Sequence, residues 1–143
     1  MKRFIFVAVY MFGIFANNAF AEELEPLQSD DMENLAFPVC SLWLPEKRKH
    51  DDDMLHYVEG DICPVGGGNC SYTAIIRLKG KAVQFQRVAK NRFTRADSEL
   101  DVSYRIVPCK KNCGEEGENV KAQLTIKKGQ DKTTYEMTGY CGT

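Results

Sequence analysis

Hydrophobic and polar residues alternate along much of the second half of the chain. The clearest case is residues 120–127, where Val, Ala, Leu and Ile alternate with Lys, Gln and Thr. Residues 72–78 and 101–107 have the same period of two, which predicts β-strands with one buried face. Gly80 and Gly129 follow two of these stretches and favour tight turns. The pattern therefore predicts antiparallel hairpins.

No stretch of ten or more residues has the apolar stripe of an amphipathic helix. Residues 37–143 are therefore predicted to form one all-β domain, a small antiparallel meander of five to seven strands closed as a barrel or a sandwich. Residues 37–44 are the expected first strand. Trp43 within it is expected to fill the core, and contact with a partner is the alternative.

The first 21 residues have the composition of a targeting segment. Lys2 and Arg3 precede an apolar run of 12 residues over 4–15, and residues 19–21 (Ala-Phe-Ala) have the pattern that signal peptidases cleave. That run is shorter than the ~20 residues of a transmembrane helix. The sequence predicts a signal peptide over 1–21, cleavage near Ala21, and a periplasmic or secreted protein without stable membrane insertion. A retained membrane anchor is the alternative.

Residues 22–36 differ in composition from the rest of the chain. They contain six acids, no bases and few large apolar side chains. Such a segment cannot bury much surface, so it is predicted to be a flexible, acidic N-terminal arm in front of the β-rich domain. A single helical turn near Ser29 is compatible with this prediction.

All six cysteines follow the predicted signal peptide, and an even number in a small exported domain predicts up to three disulfides. Six cysteines allow about 15 pairings, and the spacing between them only weakly favours some pairings over others. Short separations favour Cys63 with Cys70 and Cys109 with Cys113, which leaves Cys40 for Cys141. A zinc site is the disfavoured alternative, because only one pair has suitable spacing. No metal or other cofactor is predicted.

Charge is distributed unevenly along the chain. Residues 22–61 carry a net charge of -9 and residues 62–143 a net charge of +6. Between Ile62 and Ala96 there are seven bases and no acid. One interpretation is a basic face for an anionic partner, with Arg77, Lys79 and Arg87 as contacts. The favoured interpretation is a solvated hairpin balanced by the acidic N-terminal part. Nucleic acid is not an expected partner, since the whole chain has a net charge of -1 and no binding motif.

No catalytic motif is recognisable. The spacing of His50 and His56 does not match the zinc motif HExxH, and residues 51–53 lack the spaced ligands of a calcium loop. The glycine run at 66–68 is not followed by the Lys-Ser/Thr of a phosphate loop. The chain is therefore predicted not to be an enzyme. A small hydrolase with dispersed carboxylates is the third-ranked hypothesis.

One loop is a candidate contact site. Lys110, Lys111 and Asn112 lie between Cys109 and Cys113, and a cross-linked loop loses little entropy when it enters a cleft. The segment is similar to the short cystine loop with which a family of Gram-negative periplasmic lysozyme inhibitors blocks the lysozyme active site. That family has four residues between its cysteines, including a histidine, whereas this loop has three and no histidine. An ordinary solvated hairpin turn is the alternative.

The chain also resembles, more loosely, periplasmic immunity proteins against type VI secreted effectors. Together with export, small size and the lack of catalytic motifs, these resemblances imply a protein partner. The preferred hypothesis is an exported binding protein that blocks a peptidoglycan hydrolase or a secreted toxin. The alternative is a structural or accessory factor of the envelope, or of colonisation, that docks to a larger assembly.

Overall fold

The computed structural model describes residues 23–48, 54–95, 97–108 and 120–142. Within them are strands and a 3-10 turn over Ser29–Met32. The strands are β1 (Leu24–Glu25), β2 (Leu35–Trp43), β3 (Tyr57–Ile62), β4 (Ser71–Leu78), β5 (Lys81–Ala89), β6 (Arg92–Thr94), β7 (Leu100–Pro108), β8 (Val120–Lys128) and β9 (Asp131–Cys141).

Strands β2 to β9 form an antiparallel meander that closes on itself. Each strand pairs with the next along the chain, and β9 returns to pair with β2, where Cys40 lies opposite Cys141. The fold is thus an eight-stranded barrel, with β1 added beside β4. The predicted all-β antiparallel class is confirmed, and of the two expected architectures the barrel is the one formed. The expected five to seven strands are too few, partly because the three residues of β6 are too short to show an alternation.

The barrel interior is apolar and follows the predicted period of two. On β4 and β8 the inward side chains are the alternate residues, such as Ile76 and Leu124, and both are fully buried. Phe85 and Phe93 belong to the same buried cluster. Trp43 is buried as expected, but it lies outside this main cluster, because its neighbours Leu42 and Leu44 take the inward positions.

The acidic N-terminal segment is docked on the barrel over the part that the structure describes. Leu24 pairs with Leu78 of β4 and is buried. Asp31 accepts hydrogen bonds from Nη1 of Arg77 at 2.8 and 2.9 Å. The expected flexible arm is therefore corrected: one apolar side chain completes the edge of the core, and the acids neutralise a base of β4. The first barrel strand begins at Leu35.

The two ends of the barrel differ. The connections after β3, β5 and β7 and the last residues of β9 lie at one end, together with the Cys40–Cys141 and Cys63–Cys70 disulfides. We call this the disulfide end. The opposite end carries β1 and the connections after β2, β4, β6 and β8. Two of the three favoured cysteine pairs are thus confirmed, and Cys109 with Cys113 lies outside the described residues. The disulfides indicate an oxidising, exported environment.

Candidate functional site

The large apolar side chains that the described residues leave exposed all lie at the disulfide end. Val65, in the connection after β3, is 94% exposed, and Phe37, near the start of β2, is 75% exposed. At the opposite end Leu78 and Leu100 are buried in the core. Exposed apolar side chains gathered in one region are typical of interaction sites. The full set is Phe37, Val39, Val65, Val88, Val107 and Tyr140.

A polar cluster lies inside the barrel beneath this end. Glu59 of β3 points inward and is only 2% exposed. Tyr104 of β7 donates a hydrogen bond to Glu59 Oε1, and Tyr72 of β4 donates a second one to the same carboxyl group. The ring of Tyr57 packs edge-on against Tyr104, with 5.6 Å between centroids. A buried carboxyl group needs hydrogen-bond partners, and the two phenols offset the free-energy cost of burying Glu59 in an apolar interior.

The electrostatics of the cluster favour neutral phenols. Burial raises the pKa of Glu59, whereas the two tyrosine hydrogen bonds and the positive charge of Arg87 act in the opposite direction. Burial, together with the hydrogen bond to Glu59, raises the pKa of both Tyr72 and Tyr104 well above the usual range. Both phenols therefore keep their protons at neutral pH and remain hydrogen-bond donors to Glu59.

Arg87 connects this cluster to the surface. It lies near the end of β5, with its guanidinium carbon 4.9 Å from the centroid of the Tyr72 ring. Tyr72 is itself stacked on Phe93 of β6, at 6.0 Å between centroids. This cation–π contact fixes a positive group at the rim of the disulfide end.

The residues that the sequence predicts as partner contacts do not all come together. Arg87 lies at the disulfide end, as do Pro108 and Val120, the paired strand residues that flank the predicted cystine loop. Lys110, Lys111 and Asn112 themselves lie outside the described residues. Lys79 is in the β4–β5 turn at the opposite end, and Arg77 next to it is held by Asp31.

Trp43 is buried in this structure, whereas a residue that contacts a partner needs an exposed side chain. It is 3% exposed, and the guanidinium carbon of Arg48 lies 3.7 Å from its ring centroid. Tyr140 packs beside it at 5.6 Å. In this structure Arg48 and Tyr140 cover the indole, so a partner would first meet these two side chains.

The sequence pattern does not identify Phe37, Val65 or Glu59 as site residues. Phe37 and Val65 each lie next to a proline, and nothing in their spacing distinguishes them from strand residues. Glu59 shares the inward face of β3 with Tyr57, so period two predicts its direction. Its two phenol partners come from β4 and β7, and only the closed barrel shows that they meet.

Two clefts lie outside this end face. One, of about 350 Å³, runs along the outer wall of β4 and β5 beneath the Cys63–Cys70 loop and is lined mainly by uncharged polar side chains. The other, of about 240 Å³, lies at the opposite end between β1 and His56.

His56 is buried, and its Nδ1 accepts a hydrogen bond from Leu44 N–H at 3.1 Å, which leaves the proton of the neutral ring on Nε2.

Acidification is expected to destabilise the protein through His56. Burial, with a smaller effect of Lys47, lowers the pKa of His56 to about 4 from an ordinary value of 6.5. As the pH falls, His56 binds a proton in the unfolded chain before it does so in the folded protein. The contribution of neutral His56 to the free energy of unfolding is therefore fully present above pH 6.5 and decreases down to about pH 4. With allowance for solvent screening, we expect the loss to be about 2 kcal/mol.

The matched variant for this prediction is His56→Asn, whose side-chain oxygen can still accept from Leu44 N–H but does not titrate. Urea unfolding of both proteins between pH 4 and pH 7 measures the difference, because the carboxylates common to both cancel. A difference in unfolding free energy that stays constant over this range would contradict the assignment.

Three further findings bear on the site. Within the described ranges, no group of His, Cys, Asp or Glu side chains is arranged to hold a metal ion. No helix in those ranges has the length and apolar character needed to cross a membrane. Comparison with protein-family models, curated proteins and solved structures finds no match to this chain.

Proposed function

We propose that this chain is an exported, non-catalytic binding protein that docks onto another protein through the disulfide end of its barrel and blocks it. The observation that carries the proposal is the gathering of the exposed large apolar side chains at this one end, with Phe37 and Val65 the most exposed. Burial of such side chains against a partner is a main source of binding free energy.

The disulfides support this proposal because they brace the same end. Cys40–Cys141 joins β2 to β9, and Cys63–Cys70 closes the connection that carries Val65. A surface held in one conformation loses less entropy on binding than a mobile one. A rigid end that exposes several apolar side chains is thus suited to insertion into, or closure over, a preformed cleft.

The partner class that we propose is a peptidoglycan hydrolase or a secreted toxin, in line with the resemblance of the predicted cystine loop. The ends of strands β7 and β8, which the segment 109–119 connects, lie beside the exposed side chains of the disulfide end. Lys110, Lys111 and Asn112 are therefore proposed to act in the same contact as Phe37 and Val65.

Replacing Phe37 and Val65 by serine is expected to weaken inhibition. Two exposed apolar side chains buried by a partner are worth about 2 kcal/mol together, so the inhibition constant should rise about 30-fold. The measurement is a peptidoglycan-degradation assay with a panel of muramidases, amidases and secreted effector toxins. Fold stability should be unchanged, since both side chains are exposed.

The matched control carries two serine substitutions at exposed positions of the opposite end, Ala82→Ser and Lys132→Ser. This control should inhibit like the unmodified protein. Equal inhibition by the two double variants would contradict the assignment of the contact to the disulfide end. If no hydrolase or toxin in the panel is inhibited, blocking of this partner class is contradicted.

A further inference from the structure

The structure divides the acid-free run of seven bases into two groups. Arg77 makes a two-oxygen contact with Asp31, and its side chain is only 16% exposed. Arg95 forms an ion pair with Asp97 at 2.6 Å. Lys79 is in the β4–β5 turn and Lys81 follows it; Gly80 of the same turn donates its N–H to Glu25 of the acidic N-terminal segment. These four bases lie toward the opposite end, where Asp31 and Asp97 neutralise Arg77 and Arg95.

The other three bases lie together on the β5–β6 hairpin, at the disulfide end. Arg87 is near the end of β5, Lys90 is in the turn, and Arg92 begins β6. All three are exposed, and none of the carboxylates that the structure describes forms an ion pair with them. We call this set of residues, together with Val88, the hairpin tip.

Local geometry presents the hairpin tip outward. The register between β5 and β6 shifts between Arg87 and Ala89, so a bulge forms at Val88 and leaves this side chain 55% exposed. Asn91 adopts a positive φ of 60°, which closes the short turn. Arg87 is held over Tyr72, so part of the entropy of fixing its guanidinium is already lost before a partner binds.

We propose that the hairpin tip binds a carboxylate-rich surface of a partner protein, with Arg87 at its centre. This inference rests on the proposed function and adds the chemistry of the partner. A guanidinium pairs with a carboxylate through two parallel hydrogen bonds, and the neighbouring lysine and arginine steer the approach of an acidic surface. Val88 adds an apolar contact beside the charges, in the pattern of a protein interface.

An anionic membrane is the less favoured source of negative charge. Each base near such a surface contributes only about fivefold to affinity, so three bases give weak attachment. Stable anchoring needs a second signal, such as a lipid chain or a larger polybasic segment. A protein partner supplies the additional apolar contact area that the disulfide end offers.

Binding of a poly-L-glutamate peptide at low ionic strength tests the proposal. The triple variant Arg87→Gln, Lys90→Gln, Arg92→Gln should bind it at least about tenfold more weakly than the unmodified protein. The control triple variant, Lys81→Gln, Lys127→Gln, Lys132→Gln, removes the same charge from the opposite end and should bind almost normally. The double variant Lys90→Gln, Arg92→Gln leaves the Arg87–Tyr72 contact intact and should show an intermediate loss.

Two results overturn the proposal. One is an equal loss of affinity in the two triple variants, which means that overall charge alone governs binding. The other is binding to phosphatidylglycerol vesicles that is tighter than binding to the peptide and that depends on the same three bases. This result would mean that the hairpin tip binds a lipid surface. The peptide assay needs no hydrolase, so a failure of this inference can be distinguished from a failure of the proposed function, which the inhibition assay tests.

Discussion

Replacing both Cys40 and Cys141 by serine is expected to lower the free energy of unfolding by about 4.7 kcal/mol. The two cysteines lie 101 residues apart in sequence and face each other across β2 and β9. Their disulfide therefore closes almost the whole barrel into one loop. In the chain-entropy account, a cross-link restricts the unfolded chain more strongly when the loop is longer. Small domains have total stabilities of about 5–15 kcal/mol, so this variant should be close to unfolding.

The matched control is the variant Cys63→Ser, Cys70→Ser, which opens a loop with a sequence separation of only 7. The same relation gives about 2.4 kcal/mol for this loop. Urea unfolding under non-reducing conditions measures both losses. Equal losses would show that loop length does not govern the effect, and a smaller loss in the Cys40–Cys141 variant would contradict the role of that bond in closing the barrel.

The second large effect is expected at the same seam between β2 and β9. Gly139 of β9 lies opposite Leu42, and a Cβ atom there would overlap the carbonyl oxygen of Ser41 and approach Leu42 Cα to 2.9 Å. The obstacle is backbone, which cannot move without breaking strand pairing. Gly139→Ala should therefore destabilise the protein by about 3 kcal/mol.

Gly129→Ala in the β8–β9 turn separates this close-approach effect from the general cost of replacing a glycine. Gly129 has a positive φ of 60°, and the atom nearest to an added Cβ there is a side-chain oxygen of Glu99, at 3.3 Å. Its replacement should cost about 1 kcal/mol through backbone strain alone. Thermal unfolding of both variants is the measurement. A Gly139 variant as stable as the Gly129 variant would mean that β2 and β9 are not closely paired.

Period two was a reliable guide to single strands and hairpins. It predicted the β8–β9 hairpin and the inward faces of β4 and β7, because alternation depends only on which side of a strand is buried. The same period cannot show which strands pair over long distances. The β2–β9 pairing joins residues about a hundred positions apart, so the sequence leaves a barrel and a sandwich as equal alternatives.

The N-terminal segment shows that composition alone does not predict which residues pack against the barrel. Its six acids suggest disorder, yet Leu24 completes the core edge and Asp31 meets Arg77, a partner 46 residues away. The sequence predicts that the acidic N-terminal part balances the basic hairpin, and this holds for Arg77. At the hairpin tip this balance reaches only Arg87, whose charge acts on Glu59, whereas Lys90 and Arg92 project from the other end of the barrel and form no ion pair with a carboxylate that the structure describes.

The candidate site could be predicted only in part. Arg87 can be recognised in the sequence because it belongs to a run of bases, whereas Phe37 and Val65 carry no periodic signal. Their common location depends on strand order, since β2, the β3–β4 connection and β5 meet at one end only after the barrel closes. Exposure of an apolar side chain is a property of the folded chain and cannot be derived from local composition.

Site-specific photocrosslinking in cells that express the chain from its own gene tests the central claim most directly. A photoreactive residue replaces Phe37 or Val65 at the disulfide end, or Lys132 at the opposite end. We predict a discrete covalent adduct with one hydrolase or toxin from the first two positions and none from the third. An adduct formed from Lys132 alone, or equally from all three positions, would contradict docking through the disulfide end.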